Sequence, residues 1–374
     1  MVIALLILIF VRPFIASLAF PQANAIYSFS LILFLAVWII LRGPKIKMAR
    51  PLRYPLLLFI VAILVSGLPC QNKGLFIASL DKYITAILIF IIVSSLSKDD
   101  HRIISCLLFT AIIISCLAFY QYIFGFRHIL AYVANHNISD PFIQDYLAQK
   151  RIFFPFVTPN TLAGYLSMIL PLAFTQKSKG VFYLTPIIIA LLLTRSLGGI
   201  FSAGIAIFIY LCLKKKINAK TGARLATLLM AIITFVLFIR SAATKPHFQP
   251  LFSAAMRFNY WTETLRIILN HPFLGIGLGN FNTAYSRFSH NSYLQFWAET
   301  GILGIVSLVW FIFSLWTNAL KNIKKSPHSN TIACLIAAIT AFCLHNLVDF
   351  SFFLPEISFL WWVICGLLLA QTTE

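Results

Sequence analysis

Apolar runs at or near bilayer length recur along the whole sequence, and they constrain the fold more than any other feature. Twelve stand out, at about 2–20, 26–41, 54–69, 75–96, 103–124, 158–175, 181–194, 199–213, 224–240, 292–318, 331–349 and 354–371. A helix needs roughly 20 apolar residues to cross a bilayer. Lipid offers no partner to open backbone groups, so runs of this kind fold as helices. The expected fold is therefore all-α: a polytopic integral membrane protein of about twelve transmembrane helices. Charged residues make up 10% of the chain, against roughly a quarter in soluble domains. The longest polar interruption is about 50 residues, too short for a typical soluble domain of roughly 100–150 residues. Residues 1–374 thus read as a single transmembrane domain with two substantial loops. The smaller is 125–157. The larger, 241–291, lies between helices 9 and 10 and carries short helices. The first run ends like a signal peptide, but it lacks a basic leader and is interrupted at Arg12-Pro13. An uncleaved first span is expected.

The net charge of +19 would point a soluble protein toward nucleic acid. Here the cations fit cytoplasmic loops enriched in Lys and Arg, and no nucleic-acid partner is expected. About 17 basic residues fall in the connections after even-numbered spans and about 11 in the others. The bias puts both termini in the cytoplasm and the 125–157 and 241–291 loops on the outer face. The smaller loop holds Arg127, His128, His136, Asp140, Asp145, Lys150 and Arg151. Seven cysteines show no CxxC spacing, so neither an intramolecular disulfide framework nor a zinc set is expected.

The residues with chemical promise gather on that face. His290 and Asn291 stand where an aqueous loop becomes an aromatic-rich helix. An imidazole there can accept a proton near neutral pH, or it can simply sit among headgroups. Arg195 ends span seven beside Gly198-Gly199, where span eight begins. It either compensates a helix C-terminus or, with the free amides of the next helix, seats a phosphate. Asn160 opens span six as a cap or a second polar contact. Arg257 and Trp261 lie one turn apart on a helix-like stretch from Arg257 to Leu269, as a cation–π pair or as a guanidinium aimed at an anionic lipid head. Arg266 faces the opposite side of that helix. The turn Gly275-Ile-Gly-Leu-Gly279 lacks the GxGxxG spacing of a phosphate cradle and reads as a bend back toward the membrane. Glu299 is an intramembrane carboxylate, about half a helical turn out of phase with His290. His345 and Asp349, at i and i+4, share one face, as a carboxylate-oriented histidine supporting the site or as a satisfied pair within the bundle.

Five segments, in order, resemble the O-antigen ligase family, which includes related polymerases. They are FVTPNTLAGYL, TRSLGGIFSAG, RFNYWTETLRIILNHPFLGIGLGNF, HNSYLQFWAETGILG and HNLVDFSFFLPEIS, spanning roughly 150–360. Thr158 replaces the family's usual Asn, Thr194 replaces Ser, and Leu197 stands where Gly is common. The resemblance implies a metal-independent, cofactor-free glycosyltransferase of the bacterial inner membrane with a periplasmic active site. Its donor is a glycan on undecaprenyl diphosphate, and its acceptor is lipid A-core or another glycan. By similarity Arg195 and Arg257 hold the diphosphate, and His290 is catalytic at the acceptor. Asn291, Trp261, Asn160, His345 and Asp349 are supporting candidates. The loops show no convincing glycosidase-type carboxylate pair, so the expected reaction is a single displacement with inversion. A polymerase joining lipid-linked repeat units uses the same donor chemistry. A proton-coupled transporter through Glu299, His345 and Asp349 is the reading from another class.

Overall fold

The computed structural model describes residues 1–43, 50–97, 101–136, 147–176, 179–215, 218–241 and 250–372. Asp140 and Asp145 lie outside them, as do Lys45, Lys47, Lys98, Lys177 and Lys216. The described residues form fourteen α-helices and no strand. In chain order these are α1 Val2–Val11, α2 Pro21–Arg42, α3 Arg50–Val65, α4 Lys73–Ser94, α5 Arg102–Tyr120, α6 Phe126–Asn135 and α7 Pro159–Ile169. There follow α8 Gly180–Leu193, α9 Leu197–Leu213, α10 Ala219–Ser241, α11 Pro250–Asn270, α12 Ser292–Asn322, α13 Ser329–His345 and α14 Pro355–Thr372.

Each of the twelve apolar runs has its helix. Among the described residues, six segments are long and apolar enough to cross a membrane: Pro21–Leu41, Lys73–Ser94, Arg102–Asn135, Lys220–Ile239, Ser292–Asn322 and Pro355–Thr372. Others stop short. Span six is an α-helix only to Ile169 and continues as a 3₁₀ segment, Leu170–Thr175, because Pro171 cannot extend the hydrogen-bond ladder. The expected loop at 125–157 begins as helix. α5 runs through a π turn at Gln121–Gly125 into α6.

α14 is the central helix. It is apolar on every side, the mark of a helix with no solvent face, and it packs chiefly against α4 and α13. Trp361 and Trp362 are fully buried in it. Its first turn carries buried Glu356, whose Oε2 lies 3.8 Å from the Arg12 guanidinium. Arg12 also donates to Asn24 Oδ1 at 2.7 Å and to the Ile15 carbonyl at 3.1 Å. The Arg12-Pro13 break is thus a buried ionic anchor between the first helix and the centre of the bundle. Outside, α2, α8 and α10 present large apolar side chains such as Phe29, Val181 and Phe238, each about 71% exposed. An apolar belt of that extent marks a membrane-facing surface.

A cation-lined cavity and the histidine beside it

α12 begins at His290-Asn291. Asn291 is its N-cap and accepts from the amides of Tyr293 and Leu294 at 3.0 and 3.1 Å. That capping role occupies the side-chain Oδ1 of Asn291. His290 itself has φ 54°, a left-handed conformation that costs a non-glycine residue about 1–3 kcal/mol and persists only where its surroundings fix it. Ser289 fixes it here. Its Oγ donates to the Asn291 carbonyl at 2.6 Å and accepts from the Asn291 amide at 3.1 Å.

The same turn is tied to Glu299. The Ser289 amide donates to Gln295 Oε1 at 3.1 Å, and Gln295 Nε2 donates to Glu299 Oε1 at 3.0 Å. Glu299 Oε2 accepts from the Gly279 amide at 3.0 Å. The glycine-rich bend therefore docks directly on α12. The Ile276 and Gly277 amides donate to the carbonyls of Ala298 and Glu299, and Gly275, Gly277 and Gly279 all have positive φ. α12 yields in turn. Gly301 leaves helical geometry at φ 69°, ψ −171°, and the Ile302 amide bonds to the Pro272 carbonyl. Glu299 is thus a packing residue, at the far end of a hydrogen-bond chain that starts beside His290.

The turn after α13 is the hub of the region. Ser292 Oγ donates to Asn346 Oδ1 and the Asp349 carbonyl. Arg257 Nε donates to the Val348 carbonyl at 3.1 Å, and its Nη1 donates to Ser253 at 2.9 Å. α11, the start of α12 and the end of α13 are thereby held together. The His290 ring stacks on Tyr260, one turn from Arg257, with centroids 5.1 Å apart, and meets Phe350 edge-on at 4.9 Å. Burial pushes its pKa down to about 4. Asp349 opposes the shift and Arg257 reinforces it. The ring is therefore neutral at pH 7 and can accept a proton. Asp349 is buried, with His345 and Ser351 against its carboxylate.

Next to this assembly is a cavity of about 370 Å³, with Arg151, Asn160, Ser196, Gly198, Arg257 and His345 in its wall. Two helices begin there. α7 is capped by Thr158, whose Oγ1 accepts from the Thr161 amide. The expected cap, Asn160, lies two residues past the cap position, because Pro159 takes the first helical position. Asn160 Oδ1 instead accepts from Arg151 at 3.1 Å. α9 is capped by Ser196. Two guanidiniums and two helix N-termini make a strongly anion-favouring wall.

Sequence reasoning read Arg151 as a loop cation and missed its place here. It is 4% exposed, and its Nε donates to the Thr194 carbonyl at 3.0 Å. Its one legible signal is its position just before the FVTPNTLAGYL segment. Gln121, in the π turn, steers it by accepting from the Phe153 and Phe154 amides. Tyr260 was also missed; its signal is its i+3 spacing from Arg257. Arg195 is outside the cavity wall. Its φ is 51°, it is half-buried, and its neighbours Ser196 to Gly198 form part of the rim. Trp261 is partly buried, and its Nε1 lacks a hydrogen-bond partner among the described residues. His290 adjoins the assembly without lining the cavity. A wider trough of about 920 Å³ between α1 and α5 is mainly apolar and takes in none of the site candidates.

Residues 182–309 match the family model described as O-antigen ligase. The match covers 128 of the 374 residues, and over that stretch the chain is similar to the O-antigen ligase family. The match takes in Arg195, Arg257, His290 and Glu299, and it leaves Arg151, Asn160, His345 and Asp349 outside its bounds. It supports a membrane glycosyltransferase of the O-antigen ligase or polymerase type, and with the apolar helices a multi-pass membrane protein. No curated protein matches the chain.

Proposed function

We propose that the protein is an O-antigen ligase, transferring a glycan from undecaprenyl diphosphate to a sugar hydroxyl, with lipid A-core as the acceptor. The observation that carries this reading is the convergence of Arg151 and Arg257 with two helix N-termini on one cavity, beside a neutral, rigidly held histidine. A diphosphate gathers charge as the C1–O bond breaks, and preorganised guanidiniums and amides stabilise it. Arg257 and Arg151 seat the diphosphate. Arg195, at the rim, is the third cation the donor meets.

His290 takes the proton from the acceptor hydroxyl as that oxygen attacks C1. The acceptor O–C1 bond forms, the C1–O bond to the diphosphate breaks, and the anomeric configuration inverts in one displacement. No metal enters the scheme, so transfer should survive a chelator. The site lies on the periplasmic face of the inner membrane, both termini are cytoplasmic, and the chain crosses about twelve times. NMR of the new linkage tests the chemistry. Inversion is expected, and a retained anomer would rule the scheme out. Assays offering lipid A-core or lipid-linked repeat units as acceptor distinguish ligase from polymerase.

A further inference from the structure

Two cations stand at the edge of the cation-lined cavity on neighbouring segments. Lys150 directly precedes Arg151, and Arg195 directly precedes Ser196. Arg151 and Ser196 are both in the cavity wall. The two segments are tied together: the Ile152 amide donates to the Leu193 carbonyl at 3.4 Å, and Arg151 Nε donates to the Thr194 carbonyl at 3.0 Å. Lys150 is exposed and Arg195 is half-buried. Both have left-handed backbones, with φ of 47° and 51°. Glycine adopts that conformation freely, whereas a residue with a Cβ is strained in it. Neither side chain has a hydrogen-bond or ion-pair partner among the described residues. Two strained positions on adjoining segments thus each carry an unpaired cation where glycine would fit more easily.

We infer that Lys150, together with Arg195, forms an anion seat for the acceptor, which carries a phosphate or carboxylate near the hydroxyl that attacks. The inference rests on the proposed donor site and names the class of its second substrate. In that site the diphosphate is seated on Arg151 and Arg257, within the wall. Arg195 meets the donor as it enters. Once the diphosphate is seated, Arg195 and Lys150 are the cations left at the edge, where the second substrate must arrive to reach C1. Strained cations preorganised there complement an anionic acceptor and fix its orientation. An acceptor with its hydroxyl at His290 and its anion at Lys150 lies across the cavity mouth, touching both sides of it. The seat selects acceptors by charge, a selection that the donor chemistry does not provide.

Steady-state transfer by the full-length protein in membranes tests this with three acceptors: lipid A-core, the same acceptor stripped of phosphate, and the same acceptor with its carboxyls reduced. Lys150→Gly removes the cation and relieves the backbone, so it should melt at or above the wild-type temperature. It should still raise the KM for intact lipid A-core at least about threefold, and Lys150→Glu about tenfold or more, with donor KM unchanged. Wild type should lose a similar factor on one of the two treated acceptors, which identifies the anion as phosphate or carboxylate. On that acceptor Lys150→Gly should cause no further loss. An unchanged acceptor KM in Lys150→Gly would overturn the inference and leave the donor site standing, as would an equal rise on all three acceptors. If wild type transfers to none of the three, the ligase reading falls and the inference with it.

Discussion

Neighbouring side chains hold His290 in a left-handed backbone, so its ring direction is set before any substrate arrives. The consequence for pH is specific. With its pKa pushed down to about 4, the folded protein binds fewer protons than the unfolded chain between about pH 4 and the ordinary histidine value of about 6.5. The His290 contribution to stability is therefore complete above pH 6.5 and is lost as pH falls toward 4. His290→Gln should flatten that acid-side loss in thermal melts between pH 4 and pH 7. In transfer assays, the acid limb of kcat/KM should lie well below pH 6.5, and Arg257→Gln should move it upward by removing a repelling charge. Removal of Arg257 strands the Val348 carbonyl and Ser253. Arg151→Ala also strands the Thr194 carbonyl and Asn160, so it should lower thermal stability as well as raise the donor KM.

Two elements carry most of the strain and most of the anchoring. The glycine bend meets α12 backbone to backbone: a methyl on Gly275 would sit 2.5 Å from the Glu299 carbonyl carbon, and one on Gly301 would overlap the Phe273 carbonyl. Both positions also have positive φ. Gly301→Ala should destabilise by about 3 kcal/mol or more through strain and overpacking together, read as a lower melting temperature in detergent. The Arg12–Glu356 pair makes a second prediction. Glu356→Gln or Arg12→Met alone leaves a buried charge unpaired, costing about 3–5 kcal/mol, and changing both to Met should recover much of it. A double variant no more stable than the singles would refute that account.

Across the whole molecule, the apolar runs located twelve of the fourteen described helices, α6 and α11 falling in stretches read as loops. The abrupt polarity change at residue 290 picked out the histidine, because both are local patterns that survive in any fold. The grouping of Arg151 with Arg257, 106 positions apart, left no such trace. It depends on Gln121 pinning one loop and on the Val348 carbonyl pinning α11. Helix length was overestimated where proline ends the α-helical ladder, as at Pro171. Orientation rests on charge bias and has its own test. A single added cysteine at Arg287 should react with a membrane-impermeant maleimide in intact spheroplasts, and one at Lys215 should react only after lysis.

The central claim is that the cavity seats the lipid diphosphate and His290 does the proton transfer beside it. Steady-state transfer from a purified polyprenyl-diphosphate glycan by membrane-inserted variants tests it most directly. The account predicts that His290→Ala lowers kcat at least a hundredfold with donor KM little changed. It also predicts that Arg151→Ala and Arg257→Ala each raise the donor KM at least tenfold. Transfer at wild-type kcat and KM in all three variants would contradict it.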